Sequence, residues 1–320
     1  MTNNILEIKN LHVEYTNKKG VLSVPEIIHA VNNLSLEIKE GEVFAIAGES
    51  GCGKSTLAKT IIRLEDSTAG NIYFENEDIT KEKNLKGFRK KVQMIFQNPY
   101  ASLNPKMKIY DILKEPLRIN TNLSDEEIKA KIKELIKEIG IDENCLKSYP
   151  HEFSGGQRQR IAIARALILE PKFVIADEPV SALDVSIQAQ ILNLLKKLQI
   201  DHKLTILFIS HDISVIKFIS DKIAIMYLGE IVEQGTCEEI FKNAKHPYTK
   251  ILLEAAPSFN KKKENKAKLT GDLPSPANLP KGCKFHTRCP HCMPECAEKI
   301  PNKTSFSDTH SVKCFLYKNL

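Results

Sequence analysis

The sequence predicts an α/β fold in which a mainly parallel sheet is covered by helices on both faces. Three observations support this prediction. Apolar strands alternate with helices in the second half of the chain, one short strand near residue 45 is apolar throughout, and a glycine-rich loop joins that strand to a helix. The 320 residues are 42% hydrophobic and 27% charged, which excludes disordered, collagen-like and disulfide-scaffold chains. A chain of this length can hold one large α/β domain and an accessory segment.

The first fifty residues predict strands, and the alternation of apolar and polar residues over 6–15 and 34–38 is typical of half-buried, antiparallel β structure. The continuous apolar run Val43–Ala47 predicts a fully buried strand, and helical signals follow from 54 to about 64. The chain is therefore expected to begin with an antiparallel β part that leads into the buried strand.

The middle of the chain predicts a helical insertion followed by strand–helix units. Ser124 and Glu127 form a capping-box pair, Gly140 is a stop signal, and an apolar stripe of isoleucines and a leucine lies between them. The later predicted elements are a helix over 154–169, a strand over 172–176, a helix over 187–198 and strands over 205–209 and 223–227. Residues 258–280, rich in Lys, Pro and Asn, predict a domain boundary.

Charge and hydropathy exclude several classes of function. No apolar stretch approaches the ~18–20 residues that a membrane-spanning helix needs. The first residues lack the basic and apolar regions of a secretion signal, so we expect a cytosolic protein unless a membrane partner recruits it. A net charge of +6 is mild and tryptophan is absent, so nucleic acid is not an expected partner.

A glycine-rich loop after the buried strand fits the pattern G-x-x-x-x-G-K-S/T. It consists of Gly48, Glu49, Ser50, Gly51, Cys52, Gly53, Lys54 and Ser55. Glycines allow backbone N–H groups to surround phosphate oxygens, and the N-terminus of the following helix adds partial positive charge. Lys54 can reach the β- and γ-phosphates, and the Ser55 hydroxyl can bind Mg²⁺. This loop predicts a nucleotide-binding site.

Two further segments carry chemistry that suits a nucleotide. The strand predicted over 172–176 runs into Asp177, which could hold Mg²⁺ through water, and Glu178, which could polarise an attacking water as a general base. A second glycine-containing helix start provides another anion-binding N-terminus, formed by Ser154, Gly155, Gly156 and Gln157. One chain cannot easily wrap both glycine loops around a single nucleotide.

With this Ser-Gly-Gly-Gln segment, residues 5–255 resemble the ATP-binding cassette (ABC) ATPases. The resemblance implies a P-loop NTPase of the ABC type with a helical subdomain over about 98–165. It also implies a head-to-tail dimer, in which Ser154–Gln157 of one chain contacts the ATP held by the phosphate loop of the other. The implied roles are carried by Gln97 (Q-loop, Mg²⁺ and transporter contact), 181–184 (D-loop), His211 (γ-phosphate switch), Thr56 (ATP contact), Tyr15 (adenine stacking), and Ser55, Gln97 and Asp177 (Mg²⁺).

Segments 96–105, 149–153 and 246–257 narrow the resemblance to the oligopeptide/dipeptide importer branch, and Asn98–Tyr100 with 179–181 is similar to its second ATPase subunit. This implies a heterodimer with a sister ATPase at the cytoplasmic face of the membrane, two membrane permeases and an extracellular solute-binding protein. Nickel and opine importers share much of the pattern. A soluble ABC ATPase of translation or DNA repair is a further alternative, although those usually carry tandem cassettes or coiled-coil insertions.

The C-terminal part is dense in cysteine, and Cys283, Cys289, Cys296 and Cys314 are separated by five, six and seventeen residues. This spacing resembles the C-terminal extension of the same branch, so we expect an ATPase domain over 1–257 and an extension over 258–320. The four thiolates could hold a 4Fe–4S cluster, which we favour, or zinc, with Cys292, His286 and His291 nearby.

Two other interpretations of the tail stay open. The four cysteines could be buried free thiols, or the tail could be a redox or metal module that the ATPase regulates. Because the tail is distant in sequence from the phosphate loop, we expect ATP binding to survive loss of a cluster.

Overall fold

The computed structural model describes residues 4–17, 25–255 and 271–318. These ranges leave out most of the predicted domain boundary at 258–280, including its lysines. They also leave out Pro257, which belongs to the segment 246–257 that carries part of the family resemblance. The chain divides into two compact units: unit 1 comprises Met1–Lys81 with Ser210–Leu320, and unit 2 comprises Glu82–Ile209.

The strands and helices follow the α/β pattern along the described ranges. The strands are β1 (Asn4–Asn17), β2 (Glu26–Lys39), β3 (Val43–Ala47), β4 (Ala69–Phe74), β5 (Glu77–Asp78), β6 (Val92–Ile95), β7 (Phe173–Asp177), β8 (Thr205–Ser210), β9 (Lys222–Tyr227), β10 (Glu230–Thr236), β11 (Lys303–Ser305) and β12 (Ser311–Lys313). The α-helices are α1 (Lys54–Ile61), α2 (Lys86–Lys91), α3 (Pro99–Ser102), α4 (Ile109–Asn120), α5 (Asp125–Glu138), α6 (Gly155–Leu167), α7 (Val185–Asp201), α8 (Ile213–Ile219), α9 (Cys237–Asn243), α10 (Pro247–Ala255) and α11 (Pro294–Glu298). None of the described helices combines the length and the apolar character needed to cross a bilayer.

Unit 1 confirms the antiparallel β structure predicted at the start of the chain. The strands β2, β1, β4 and β5 pair antiparallel in that order. In a second group, β3 pairs parallel with β9, and every residue of β3 is buried, as its continuous apolar run predicts. The helix α1 begins directly after the glycine-rich loop and ends at Ile61, slightly before the predicted end.

The sequence analysis missed the strand β10, which adds an antiparallel pairing to the second group of unit 1 beside the parallel pair β3–β9. β9 and β10 form a tight hairpin in which Leu228 and Gly229 have φ angles of 43° and 81°. Positive φ at both central positions is the geometry of a type I′ turn, and Leu-Gly is not one of the dipeptides that signal such a turn. The expectation of a mainly parallel sheet is therefore corrected for this part of unit 1.

The C-terminal residues join unit 1 through this hairpin. The strand β12 pairs antiparallel with β10, placing Val312 opposite Glu233, and β11 pairs with β12. Glu233 is almost fully buried and accepts hydrogen bonds from the backbone of Lys245 and His246 and, at 2.8 Å, from His310 Nε2. Because a buried carboxylate is costly without partners, this set of hydrogen bonds fixes the place of the C-terminal residues.

Unit 2 contains three parallel strands, β6, β7 and β8, together with the helices α2–α7. The predicted capping box of α5 is confirmed: Ser124 Oγ accepts from the Glu127 backbone, and the Glu127 carboxylate accepts from the Ser124 backbone. Its apolar stripe is buried, and α5 ends at Glu138 before Gly140, whose φ is +71°. The parallel strands point their carboxyl ends, including Asp177, toward one edge of this unit's sheet.

Candidate functional site

The phosphate loop of unit 1 connects β3 to α1, and its backbone geometry requires glycine. Gly53 has a φ of +105°, and a Cβ at this position would lie 2.0 Å from the carbonyl oxygen of Ala30. A Cβ at Gly48 would lie 2.3 Å from the Met226 carbonyl oxygen. Any larger residue would therefore displace the loop, since these contacts are with backbone atoms rather than with flexible side chains.

Lys54 is buried and its ammonium group lies inside the phosphate loop. Lys54 Nζ donates to the carbonyl oxygens of Gly48 at 2.8 Å and Glu49 at 2.9 Å. Lys54 and Ser55 are also the first two residues of α1, whose first N–H groups have no partner within the helix. An ammonium group and a helix N-terminus thus meet at one loop, an arrangement that suits an anionic ligand.

Tyr15, the predicted adenine-stacking residue, lies beside the start of α1. Its hydroxyl group donates to the Glu65 carboxylate and contacts the side chain of Thr56. Burial, followed by the hydrogen bond to Glu65, raises the pKa of the Tyr15 hydroxyl. The side chain is 37% exposed, so part of its ring is accessible to a ligand.

His211, the predicted switch residue, follows β8 and is exposed. The next residue, Asp212, caps α8 by accepting from the backbone N–H of Ser214 at 2.7 Å. This cap fixes the backbone beside His211 while its imidazole stays at the surface of unit 1.

In unit 2, the structure brings together two predicted catalytic residues. Gln97 Nε2 donates to Glu178 Oε2 at 3.0 Å. Asp177 is the last residue of β7 and is 4% exposed, whereas Glu178 is half-buried and Gln97 is exposed. The two carboxylates therefore differ in their accessibility to solvent.

Glu178 has a strained backbone, with a φ of +46°. Its N–H donates to the Ile209 carbonyl at 2.9 Å, and its carbonyl accepts from the Ser181 hydroxyl at 3.1 Å. A non-glycine residue rarely adopts this conformation, and such strain is concentrated at functional sites. These two hydrogen bonds hold the Glu178 backbone in this conformation directly after β7.

The predicted signature segment forms the N-terminus of α6. Ser154 Oγ accepts from Gln157 N at 3.3 Å, and Gln157 Oε1 accepts from Ser154 N at 3.0 Å, which is a capping box. Ser154 uses its oxygen as an acceptor and keeps a hydroxyl proton that it can donate to an anion. A Cβ at Gly156 would lie 2.6 Å from Ile187 Cγ2, so close packing against α7 also requires this glycine.

The four predicted cysteine ligands line one pocket in unit 1. Cys283, Cys289, Cys296 and Cys314 surround it together with aromatic residues and His286 and His291, whereas Cys292 is exposed and does not line it. Among residues 4–17, 25–255 and 271–318, no group of three or more His, Cys, Asp or Glu side chains is arranged to hold a metal ion.

Burial suppresses ionisation of these thiols. Burial raises the pKa of Cys283 to about 12, and neighbouring thiols contribute to the same direction. The pKa of Cys314 rises to about 11 for the same reasons. Both groups are therefore protonated at neutral pH and weakly reactive unless a metal centre takes the place of their protons.

Sequence reasoning missed one contact of the phosphate loop. Glu49 forms a bidentate ion pair with Arg288, which is 239 residues further along the chain. No spacing or periodicity links two positions so far apart, and Arg288 lies in the cysteine-rich part, where the cysteines dominate the pattern. Only the folded chain brings Arg288 and Glu49 together.

Comparisons with known proteins agree with this geometry. The family described as ABC transporter matches residues 31–181, and the family described as oligopeptide/dipeptide transporter, C-terminal region, matches residues 232–296. The dipeptide transport ATP-binding protein DppF of Haemophilus influenzae is 46% identical over 97% of this chain and 96% of its own length. The chain belongs to the ATP-binding proteins of the oligopeptide/dipeptide ABC transporter family.

Other relatives extend the same result. The oligopeptide transport ATP-binding protein AppF of Bacillus subtilis is 47% identical, over 98% of this chain and 97% of its own length. A solved structure of the ATP-binding cassette MJ0796, a dimer bound to ADP and Pi in a post-hydrolysis state, is 34% identical with a TM-score of 0.65. It covers 72% of this chain and 98% of MJ0796, so the ABC cassette fold is shown.

Proposed function

We propose that this chain is the ATP-hydrolysing subunit of an ABC importer for oligopeptides or dipeptides. The observation that supports this most strongly is the similarity, over nearly the whole chain, to relatives named for peptide transport. The similarity includes the C-terminal region, which is matched separately by a family of oligopeptide and dipeptide transporters. The phosphate loop, the carboxylates after β7 and the capped signature helix supply the parts that such an enzyme needs.

In this proposal, the phosphate loop binds ATP. Backbone N–H groups of 48–56 surround the phosphates, Lys54 neutralises the β- and γ-phosphates, and Tyr15 stacks on the adenine ring. Ser55, Gln97 and Asp177 would hold Mg²⁺, which would supply positive charge to the phosphates. The buried ammonium group of Lys54 at the start of α1 supports this assignment.

Hydrolysis is assigned to Glu178, Gln97 and His211. Glu178 accepts a proton from the attacking water, Gln97 orients the Glu178 carboxylate through their hydrogen bond, and His211 contacts the γ-phosphate. The strained backbone of Glu178 supports a catalytic rather than a purely structural role.

The N-terminus of α6, the predicted signature segment, is assigned the role of contacting a second ATPase chain. Ser154, Gly155, Gly156 and Gln157 would contact the ATP bound by a sister subunit in a head-to-tail heterodimer. The proposed assembly adds two membrane permeases and an extracellular solute-binding protein, with this chain peripheral at the cytoplasmic face. Residues 1–257 are the ATPase domain in this proposal, and 258–320 are an extension.

A reconstituted complex tests the proposed function. The chain would be purified with its sister ATPase and permeases in lipid nanodiscs, and phosphate release would be measured with the binding protein. We expect peptide-loaded binding protein to stimulate hydrolysis several-fold over the unloaded form. Stimulation by nickel-loaded binding protein, with none by peptides, would assign the chain to a nickel importer instead.

We further propose that the cysteine pocket holds a 4Fe–4S cluster. The pocket gathers four cysteines, the number of thiolates that holds such a cluster. In a cluster each thiolate binds a different iron, so the four sulfur atoms do not have to surround a single ion as they would for zinc. A bound cluster would cross-link a segment that has little apolar core.

Iron analysis tests the cluster. Protein purified without oxygen is expected to be brown and to contain about four irons and four acid-labile sulfides per chain. Serine at Cys283, Cys289, Cys296 or Cys314 should remove the colour. The matched control Cys292→Ser should keep it, since Cys292 lies outside the pocket. Colourless protein with one zinc would replace the cluster by a zinc site, and a folded protein without metal would contradict both.

A further inference from the structure

In unit 1, an arginine of the C-terminal part contacts the phosphate loop. Arg288 ends the short 3₁₀ helix His286–Arg288, and its two terminal nitrogens bind the two carboxylate oxygens of Glu49 at 2.8 and 3.1 Å. The Arg288 side chain is 6% exposed and that of Glu49 is 22% exposed. A bidentate, largely buried pair of this kind is stronger and more directional than a surface ion pair.

Glu49 is held on its backbone as well as on its side chain. Its N–H donates to the Tyr248 hydroxyl at 3.0 Å, and its carbonyl accepts from Lys54 Nζ at 2.9 Å and from Cys52 N. Glu49, which forms the ion pair with Arg288, is therefore also hydrogen-bonded to Lys54. A shift of Glu49 would change the position of the Lys54 ammonium group.

Arg288 is itself fixed by an aromatic cluster. Its backbone N–H donates to the Phe285 carbonyl at 3.0 Å, and Phe285 is 1% exposed. The Phe285 ring packs against Tyr227 and Tyr248, with ring centroids 5.2 and 5.3 Å apart. The Arg288 guanidinium lies 5.9 Å from the Tyr227 ring centroid. The buried aromatic cluster therefore positions Arg288 beside Glu49. Tyr248 belongs to this cluster and also accepts a hydrogen bond from the Glu49 backbone.

The charge of Arg288 suits a loop that binds polyphosphate. A bare carboxylate in the phosphate loop would repel an anionic ligand, and this repulsion is strong where solvent is partly excluded. Arg288 cancels that charge, and the bidentate geometry fixes the orientation of Glu49 as well. A lysine at position 288 would supply the positive charge, but it lacks the two parallel N–H groups that donate to both carboxylate oxygens of Glu49.

We propose that Arg288 is a positioning residue of the ATP site, acting through Glu49 to hold the phosphate loop in its nucleotide-binding conformation. This inference rests on the proposed function, because it takes ATP as the ligand of the loop. Although the cysteine segment is distant in sequence from the phosphate loop, Arg288 directly precedes Cys289 and its side chain contacts the loop.

A double-mutant cycle on the full-length chain tests this. The variants are Arg288→Gln, Glu49→Gln and the double variant, and the readouts are the Kd for ATP-Mg²⁺ and the KM and kcat of hydrolysis. We expect Arg288→Gln to raise Kd and KM roughly tenfold, the effect of losing one hydrogen-bonded charge pair, with kcat changed less than threefold. In the Glu49→Gln background, Arg288→Gln should add less than twofold, and Arg288→Lys should recover part of the affinity.

A control separates positioning from a general loss of stability. Lys318→Gln breaks an exposed ion pair with Glu295 within the same C-terminal part and should leave Kd unchanged. Wild-type Kd in Arg288→Gln, or an equal loss of affinity in both Glu49 backgrounds, would overturn the proposal. If the wild-type chain binds no ATP and Lys54→Ala changes nothing, the proposed function itself fails, which is a distinguishable result.

Discussion

Replacing Glu178 with glutamine is expected to reduce ATP hydrolysis by roughly a hundredfold or more while ATP binding stays intact, as for loss of a general base. The amide has the same size as the carboxylate, and its oxygen can still accept the hydrogen bond from Gln97 Nε2. Only the ability to take a proton from water is lost. Phosphate release and equilibrium ATP binding, measured on the same preparation, separate the two effects.

The matched control for this change is Glu143→Gln in the same unit. Glu143 is exposed and paired with Lys133 at 2.7 Å, so its loss should leave turnover within about twofold, as usual for surface pairs. Combined with a sister subunit carrying the equivalent change, the Glu178→Gln chain should accumulate as an ATP-bound dimer. Wild-type turnover in Glu178→Gln would show that another group is the base.

The second large effect is expected for Lys54→Ala. Lys54 is 5% exposed and its ammonium group lies inside the phosphate loop, so alanine removes this positive charge from the loop. Hydrogen bonds to charged groups contribute about 1.5–3 kcal/mol, which predicts that Kd for ATP rises roughly 10- to 100-fold. Titration calorimetry on the purified chain measures this change directly.

Lys59→Ala is the control, because Lys59 is on the same helix but is 45% exposed and pairs with Glu65 at 3.5 Å. It should bind ATP with nearly wild-type affinity. Equal affinity of the wild-type and Lys54→Ala chains would count against a phosphate-binding role for this loop.

Local sequence rules predicted the elements whose signals are short-range. The capping box Ser124–Glu127 and the buried run of β3 depend on neighbours a few residues apart, and the structure contains both. The phosphate loop was predictable for the same reason, since its glycines and Lys54 are consecutive with a strand and a helix. In each case the residue types suit only one local backbone conformation.

What could not be predicted depends on contacts between distant parts of unit 1. The pairing of β12 with β10 is fixed by the buried Glu233 and by His310, 77 residues away. The pair Arg288–Glu49 joins the cysteine-rich part to the phosphate loop in the same way. Buried polar groups far apart in sequence leave no periodic pattern, so only the folded chain shows that each has a partner.

ATP-dependent peptide uptake into proteoliposomes would show directly whether this chain powers peptide import. The vesicles would contain this chain, its sister ATPase and the permeases, with the ATPases facing the lumen, ATP trapped inside, and binding protein with labelled peptide outside. We expect accumulation of a labelled dipeptide or oligopeptide with the wild-type chain and none with Glu178→Gln. Uptake that is equal for both chains, or accumulation of nickel without any peptide, would contradict the proposed function.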